Sequence, residues 1–184
     1  MNRKLLLIAL MLVSAPAVFA QKYMTRTARI SFNATAPKSP ENIEAINNEV
    51  ANIVDAKSGD IVFQVPVKSF KFQRALMQEH FNENYMESDK FPRSEFKGKI
   101  SNMSDVNFAK DGTYNATATG RLTIHGVTKE VNVPGTVTVK GSSAKLKAKF
   151  VVKLSDYNVS VPSVVADKVG KEATIMLDSD LAQK

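Results

Sequence analysis

YNATATGRLTIHGVTKEVNVPGTVTVKGSSAKLKAKFVVKL, residues 114–154, alternates apolar and polar side chains through three strand-length runs. In the first, Tyr114, Ala116, Ala118, Gly120, Leu122 and Ile124 share one face, and Asn115, Thr117, Thr119, Arg121 and Thr123 share the other. The second keeps the phase with Val131, Val133, Gly135, Val137 and Val139, and the third with Ala144, Leu146, Ala148, Phe150, Val152 and Leu154. Successive side chains of a strand point to opposite faces, so strict period two marks a wall with one wet and one dry side. Each run reaches roughly 35 Å at about 3.4 Å per residue, well beyond the usual strand, and suits the tilted staves of a barrel.

Six of the seventeen dry positions are alanine or glycine: Ala116, Ala118, Gly120, Gly135, Ala144 and Ala148. An eight-stranded barrel can be packed solid or can hold one small ligand, and small wall residues favour the hollow form. The alternative is that they relieve crowding where strands bend or where the rest of the chain folds against the wall.

Outward from this meander, Ala28–Thr35 places Ile30, Phe32 and Ala34 on one face of a strand that Pro37 and Pro40 end. Ile43–Val54 fits either a helical stripe, with Asn47, Asn48 and Asn52 as poor interior residues, or a strand entering the turn-rich Asp55–Asp60. From Ile61 to Phe72 the apolar phase slips between Val67 and Phe70, which predicts a bulge near Pro66 to Ser69. Gln73–Glu87 is the helix candidate, with Met77, Phe81 and Tyr85 four apart, and Phe91-Pro92 closes it. Phe96–Ile100 and Val106–Ala109 read as short strands, and Ala173, Ile175, Leu177 and Leu181 as a closing one. The expected fold is all-β: one closed antiparallel barrel of about eight strands, with one short helix near its mouth.

Arg3 and Lys4, the apolar Leu5–Val13 and the small-residue end Val18-Phe19-Ala20 make residues 1–20 a secretory signal peptide, cut after Ala20. Residues 21–184 then form one domain, periplasmic or secreted, with no further span to hold it in a membrane. The chain has no cysteine, so neither disulfides nor a lipid-modified cysteine support it. Without Arg3 and Lys4 the 25 basic residues become 23 against 18 acidic ones, a formal net charge of +5. Lys145, Lys147, Lys149 and Lys153 lie on one outward face without interleaved aromatics, a solvated strand face and not a nucleic-acid stripe.

Only His80 and His125 could serve metal or acid–base chemistry. His80 shares a helix face with Glu83, but two mixed ligands do not make a metal site, and a solvated polar face explains them. His125 precedes Gly126 in a turn, where its ring is expected to bond local backbone and Gly126 to supply a positive φ. No nucleophile elbow, phosphate loop or reactive cysteine is present, so the reading is of a protein that is not an enzyme and carries no metal or other cofactor beyond a bound amphiphile.

Large aromatic and methionine side chains concentrate in one third of the chain. Phe63, Phe70, Phe72, Met77, Phe81, Tyr85, Phe91 and Phe96 read as an adaptable rim and lid over a lumen to which the meander contributes Ala116, Ala118, Leu122 and Phe150. Lys68, Lys71, Arg74 and Arg93, with Lys90, flank that rim and are the candidates to hold an anionic head group.

The turn LTIHGVTKEV, Leu122–Val131, resembles that of the YceI-like family, as do His80-Phe81, Phe91-Pro92 and Phe96 in their order and spacing. The likeness runs from about Asp60 to Leu181. It departs at Ala28-Arg29-Ile30-Ser31-Phe32, which lacks the family's early histidine, and at Leu154, where many members place arginine before Ser155-Asp156-Tyr157. The resemblance implies an exported, lipocalin-like barrel that holds a long isoprenoid or similar amphiphile. A lipid carrier is therefore expected, with an amphiphilic lipid as partner, no nucleic acid, and a homodimer left open. The competing expectation is a filled-core stress-response or protein-interaction module.

Overall fold

Period-two runs become paired staves in the computed structural model, which describes residues 21–184. The strands are β1 (Lys22–Thr35), β2 (Glu44–Asp55), β3 (Asp60–Pro66), β4 (Lys71–Phe72), β5 (Arg93–Ile100), β6 (Gly112–Ile124), β7 (Val127–Lys140), β8 (Ser143–Lys153) and β9 (Val169–Gln183). Every pairing is antiparallel. The order β1-β9-β8-β7-β6-β5-β3-β2 closes through β1–β2, giving an eight-stranded barrel to which β4 is a short addition. The proposed signal peptide lies outside the described residues. No helix among those described is long and apolar enough to cross a membrane.

The hairpins follow from their turn residues. Ile124 pairs with Val127, leaving His125 (φ 49°) and Gly126 (φ 75°) as a two-residue turn with both φ values positive, the kind whose twist matches paired strands. A Cβ on Gly126 would stand 2.4 Å from the Phe91 ring, so space as well as φ demands glycine. At the β2–β3 turn, Asp55 Oδ1 accepts the Lys57 and Ser58 backbone N–H groups at 2.9 and 3.1 Å. Those bonds, that from Ser58 first, hold its carboxyl below the usual carboxylate range. Asp55→Ala is expected to cost about 1 kcal/mol at neutral pH. A carboxyl held low stabilises the fold above its unfolded-state pKa and loses that contribution as the pH falls through its folded-state value. The deficit should therefore close in acid, as urea denaturation at neutral and acidic pH would read.

Segment 43–54 is strand, not helix. Ala45, Asn47, Val50, Asn52 and Val54 of β2 are buried, while Ile53 stays outside at 42% exposure. Asn47 and Asn52 are fully buried, and each is satisfied: Asn47 Nδ2 donates to the Pro66 carbonyl at 2.8 Å, and Asn52 Nδ2 to that of Val62 at 3.0 Å. Ser179 of β9, also fully buried, donates to Asn52 Oδ1 at 3.1 Å, tying β9 to β2 past the intervening β1. The asparagines that argue against a helix are hydrogen-bonded wall residues.

The phase slip near Pro66 is larger than a one-residue bulge. β3 stops at Pro66, Val67–Ser69 forms a 3₁₀ turn, and β4 resumes beside Ala45 and Ile46 of β2. Val67 at the start of that turn and Phe70 just after it are both buried. The helix is shorter than its pattern, an α turn Ala75–His80 widening into a π turn Phe81–Tyr85. The strand expected at Val106–Ala109 does not form. There, a 3₁₀ turn at Met103–Asp105 leads into a loop whose Phe108 packs on Tyr23 with ring centroids 5.4 Å apart. With Val54, Val137, Val139 and Ala144, this pair fills the end of the barrel away from the helix.

The wet faces are equally regular. Thr113–Thr138, Thr119–Asn132 and Thr123–Thr128 bond side chain to side chain between β6 and β7 at 2.8–3.0 Å. Lys145 lies 3.2 Å from both Asp178 and Asp180, which raise its ammonium pKa, and Lys147 lies 3.8 Å from Asp178. Lys145, Lys147 and Lys153 of β8 thus stand opposite Asp180, Asp178 and Glu172 of β9.

Candidate functional site

The lumen is set by where strands part. β7 and β8 pair only from Gly135↔Ala148 to Lys140↔Ser143, and beyond Gly135 they separate. A 3₁₀ turn, Leu154–Tyr157, comes down beside β7, β8 and β9 at this opening. At the same end the helix lies over the barrel through an aromatic cluster. Phe81 stacks on Phe32 at 5.4 Å and meets Phe70 and Phe72 at 5.5 and 5.0 Å.

Between these elements lies a cavity of about 460 Å³, with a second compartment of about 100 Å³ deeper in the barrel. Ile30, Phe150 and Ile175 line both and mark where they adjoin. The upper space has a few polar side chains at its edge, Glu41, Arg74, His80 and Lys168 among them, and Arg74 is ion-paired with Glu41. Tyr85 and Tyr157 also line it, and burial pushes both phenols above their ordinary value, Tyr157 further through Asp156. They are neutral hydroxyls at physiological pH. Among the described residues, no three His, Asp or Glu side chains gather to hold a metal ion.

Phe70, Phe72, Met77, Phe81, Tyr85 and Leu122 line the upper cavity, Phe63, Phe96, Ala116 and Ala118 the deeper one, and Phe150 both. Phe91 lines neither. It packs edge-on against His125 at 4.7 Å, beneath Gly126, where it supports the β6–β7 turn. Of the candidate head-group cations only Arg74 reaches the lumen. Lys68 pairs with Asp89 on the outer surface, and exposed Lys71 and Arg93 lie on strands away from both compartments. His80, read as a solvated helix residue, faces the upper cavity and bonds Asn84 at 3.0 Å.

Sequence reasoning missed the far wall: Ile30 and Phe32 of β1, Ile43, Val152, Tyr157, Val159, Ile175 and the rim cation Lys168. The alternation of Ile30, Phe32 and Ala34 and that of Ala173, Ile175 and Leu177 are visible in the chain. Closure is expected; what the chain does not reveal is the strand order β1-β9-β8, which sets the first and last strands beside the meander and brings their dry faces to the cavity.

Not all the small residues are lumen. Ala116, Ala118, Gly135 and Ala148 line the deeper compartment. Gly120 instead pairs with Gly98, and a Cβ on it would meet the Gly98 Cα and the Lys97 carbonyl oxygen at 2.4 Å. The Phe96 ring lies over the same glycines, 2.7 Å from where a Gly98 Cβ would be. Ala144 belongs to the packed end.

A closed antiparallel barrel of eight strands, with an apolar lumen reached from the end that carries the helix, defines the lipocalin-like class. The YceI-like domain model matches residues 18–181, and the chain belongs to that family. No curated protein matches it. A polyisoprenoid binding domain from Saccharophagus degradans, implicated in plant cell wall breakdown, is similar with TM-score 0.75 at 9% identity, over 89% of this chain and 98% of that one. BcnA of Burkholderia cenocepacia is similar with TM-score 0.66 at 21% identity, over 84% and 96%. The YceI protein of Campylobacter jejuni gives TM-score 0.56 at 15% identity, over 78% and 86%.

Proposed function

We infer that the protein is an exported carrier that binds an isoprenoid-type amphiphile inside its barrel and performs no catalytic step. The observation that carries this reading is the pair of adjoining apolar compartments, about 460 and 100 Å³, reached from one end of an otherwise packed barrel. Membership of the YceI-like family and the fold shared with a domain described as polyisoprenoid-binding support it.

The mechanism is sequestration. Burying ten methylenes contributes roughly 8 kcal/mol gross at about 0.8 each, before the cost of ordering the chain and losing free motion. That is enough for useful affinity without a covalent bond. The ligand's tail fits the deep compartment walled by Ala116, Ala118 and Ala148, and its middle fits among Phe32, Phe72, Phe81 and Phe150. Its head would meet Arg74, Glu41, His80 and Lys168 at the rim, a mixed set suited to a polar or singly charged group. Lys68, Lys71 and Arg93 stand too far out for this role. Reading residues 1–20 as a signal peptide, from Arg3, Lys4 and the apolar Leu5–Val13, supports delivery to the periplasm or beyond.

Native mass spectrometry of protein purified from its own host, followed by organic extraction and lipid analysis, tests the reading. A co-purifying lipid of isoprenoid type is expected. Protein that is bare on purification and takes up no added prenol would overturn it.

A further inference from the structure

The His125 ring is held between two hydrogen-bond acceptors. Nδ1 lies 3.2 Å from the Tyr157 carbonyl oxygen, and Nε2 lies 2.8 Å from Oε2 of Glu87, with the side chain only 10% exposed. A neutral imidazole has one N–H and one lone pair, so it can satisfy only one of these acceptors. The doubly protonated ring satisfies both.

The backbone around this contact is as unusual as its chemistry. Glu87 (φ 41°), His125 (φ 49°) and Asn158 (φ 56°) are the non-glycine residues with positive φ among those described, and all three meet here. Glu87 brings the carboxylate, His125 the ring, and Asn158 follows the carbonyl that accepts from it. Such conformations persist where surrounding contacts over-determine them, and they concentrate at clamps and switches. Met86 and Tyr157 line the upper cavity, so the ring ties two segments of the lumen's rim to the β6–β7 hairpin.

The charged groups around the ring are few. On the segment after the helix, Lys90 lies 3.8 Å from Glu87 and over the Phe91 ring, while Asp89 pairs outward with Lys68. The turn after β8 adds Asp156 beside Tyr157. On the hairpin itself, Arg121, Lys129 and Glu130 are exposed.

We propose that His125 is a proton-dependent latch on the barrel mouth. With both nitrogens protonated it bridges Glu87 and the Tyr157 carbonyl and holds the rim closed; losing one proton releases one segment and speeds ligand exchange. The sign is fixed by the acceptors: the bridge is favoured at low pH and lost as rising pH deprotonates the ring. The consequence for exchange rests on the carrier reading, whereas the bridge itself does not.

Glu87→Gln separates this from an ordinary ion pair. The glutamine amide can donate to the bare Nε2 of a neutral ring while Nδ1–H still donates to Tyr157, so E87Q should keep the bridge without the second proton. The experiment follows release of NBD-labelled geranylgeraniol from the full chain into phosphatidylcholine vesicles at about pH 5 and about pH 8. Native protein should release it about fivefold or more faster at the higher pH. E87Q should release slowly at both, and His125→Gln rapidly at both. Nitrogen-15 spectra of the ligand-free ring should show two protonated nitrogens at the lower pH and one at the higher, with amide protection factors, corrected for the intrinsic pH dependence of exchange, falling at 86–91 and 157–159. Equal release rates from the native protein, E87Q faster than native at the higher pH, or pH dependence that survives His125→Gln would each overturn the latch. Should the probe not bind at all, the carrier reading falls, and the ring nitrogens and amide protection decide the latch alone: a singly protonated ring at both pH values, or protection factors unchanged between them, ends it.

Discussion

Ala116→Phe should abolish tight binding of a long prenol while leaving a short one nearly untouched. Ala116 lines the deep compartment and pairs with Gly135, which has no side chain, and Gly135 in turn pairs with Ala148. A phenyl ring entering from position 116 would occupy much of that 100 Å³ space. A ligand tail would then withdraw by about three methylenes, a loss of about 2.4 kcal/mol, or about 50-fold in affinity. A short prenol confined to the upper cavity would bind as before. Fluorescence titration with geraniol and geranylgeraniol compares the two; equal weakening of both would refute a tail site in the deep compartment. The cost to the fold should be at the low end of the 1–3 kcal/mol typical of overpacking, because the ring enters space and not packed atoms.

Gly120→Val, four residues further along the same dry face, should give the opposite outcome: a large loss of stability. Gly120 and Gly98 face one another across β5 and β6, and a Cβ at 120 meets two backbone atoms of β5, the Gly98 Cα and the Lys97 carbonyl oxygen, at 2.4 Å. Backbone cannot rotate away as a side chain can, so the two strands must separate and disturb Phe96 above them. A loss of about 3–5 kcal/mol is expected, within the range reserved for strain and core disruption. Urea denaturation gives the number, and a change under about 1 kcal/mol would mean that the close approach is not held in solution.

These two substitutions show how much the chain discloses. Tyr114 to Leu154 is a run in which periodicity alone names the strands, their phase and their dry face, because each side chain of a strand must go to one side or the other. β6, β7 and β8 lie where that alternation puts them. The LTIHGVTKEV turn locates the hairpin that carries His125, and the Met77, Phe81 and Tyr85 spacing locates the helix at the mouth. Phe70 and Phe81 of the aromatic-rich third and Phe150 of the meander's dry face line the lumen.

Other positions resisted because their partners are distant in sequence. Asn52 reads as an unfavourable residue until Val62 and Ser179 arrive to bond it. Phe91 has the composition of a lumen residue, but the His125 turn claims it. Lys71, Arg74 and Arg93 look alike in the chain, and only the ion pair with Glu41 brings Arg74 to the rim. Nothing near His125 in sequence announces Glu87 or Tyr157, which lie 38 and 32 residues away.

The chain by itself determined a barrel of long antiparallel staves with a small-lined dry face, because alternation and turn geometry are local properties that each strand carries alone. Tertiary structure decided which small residues enclose space and which only let two backbones touch, which cation reaches the mouth, and which acceptors hold His125. Those outcomes depend on closure, and closure brings together side chains that no local pattern relates.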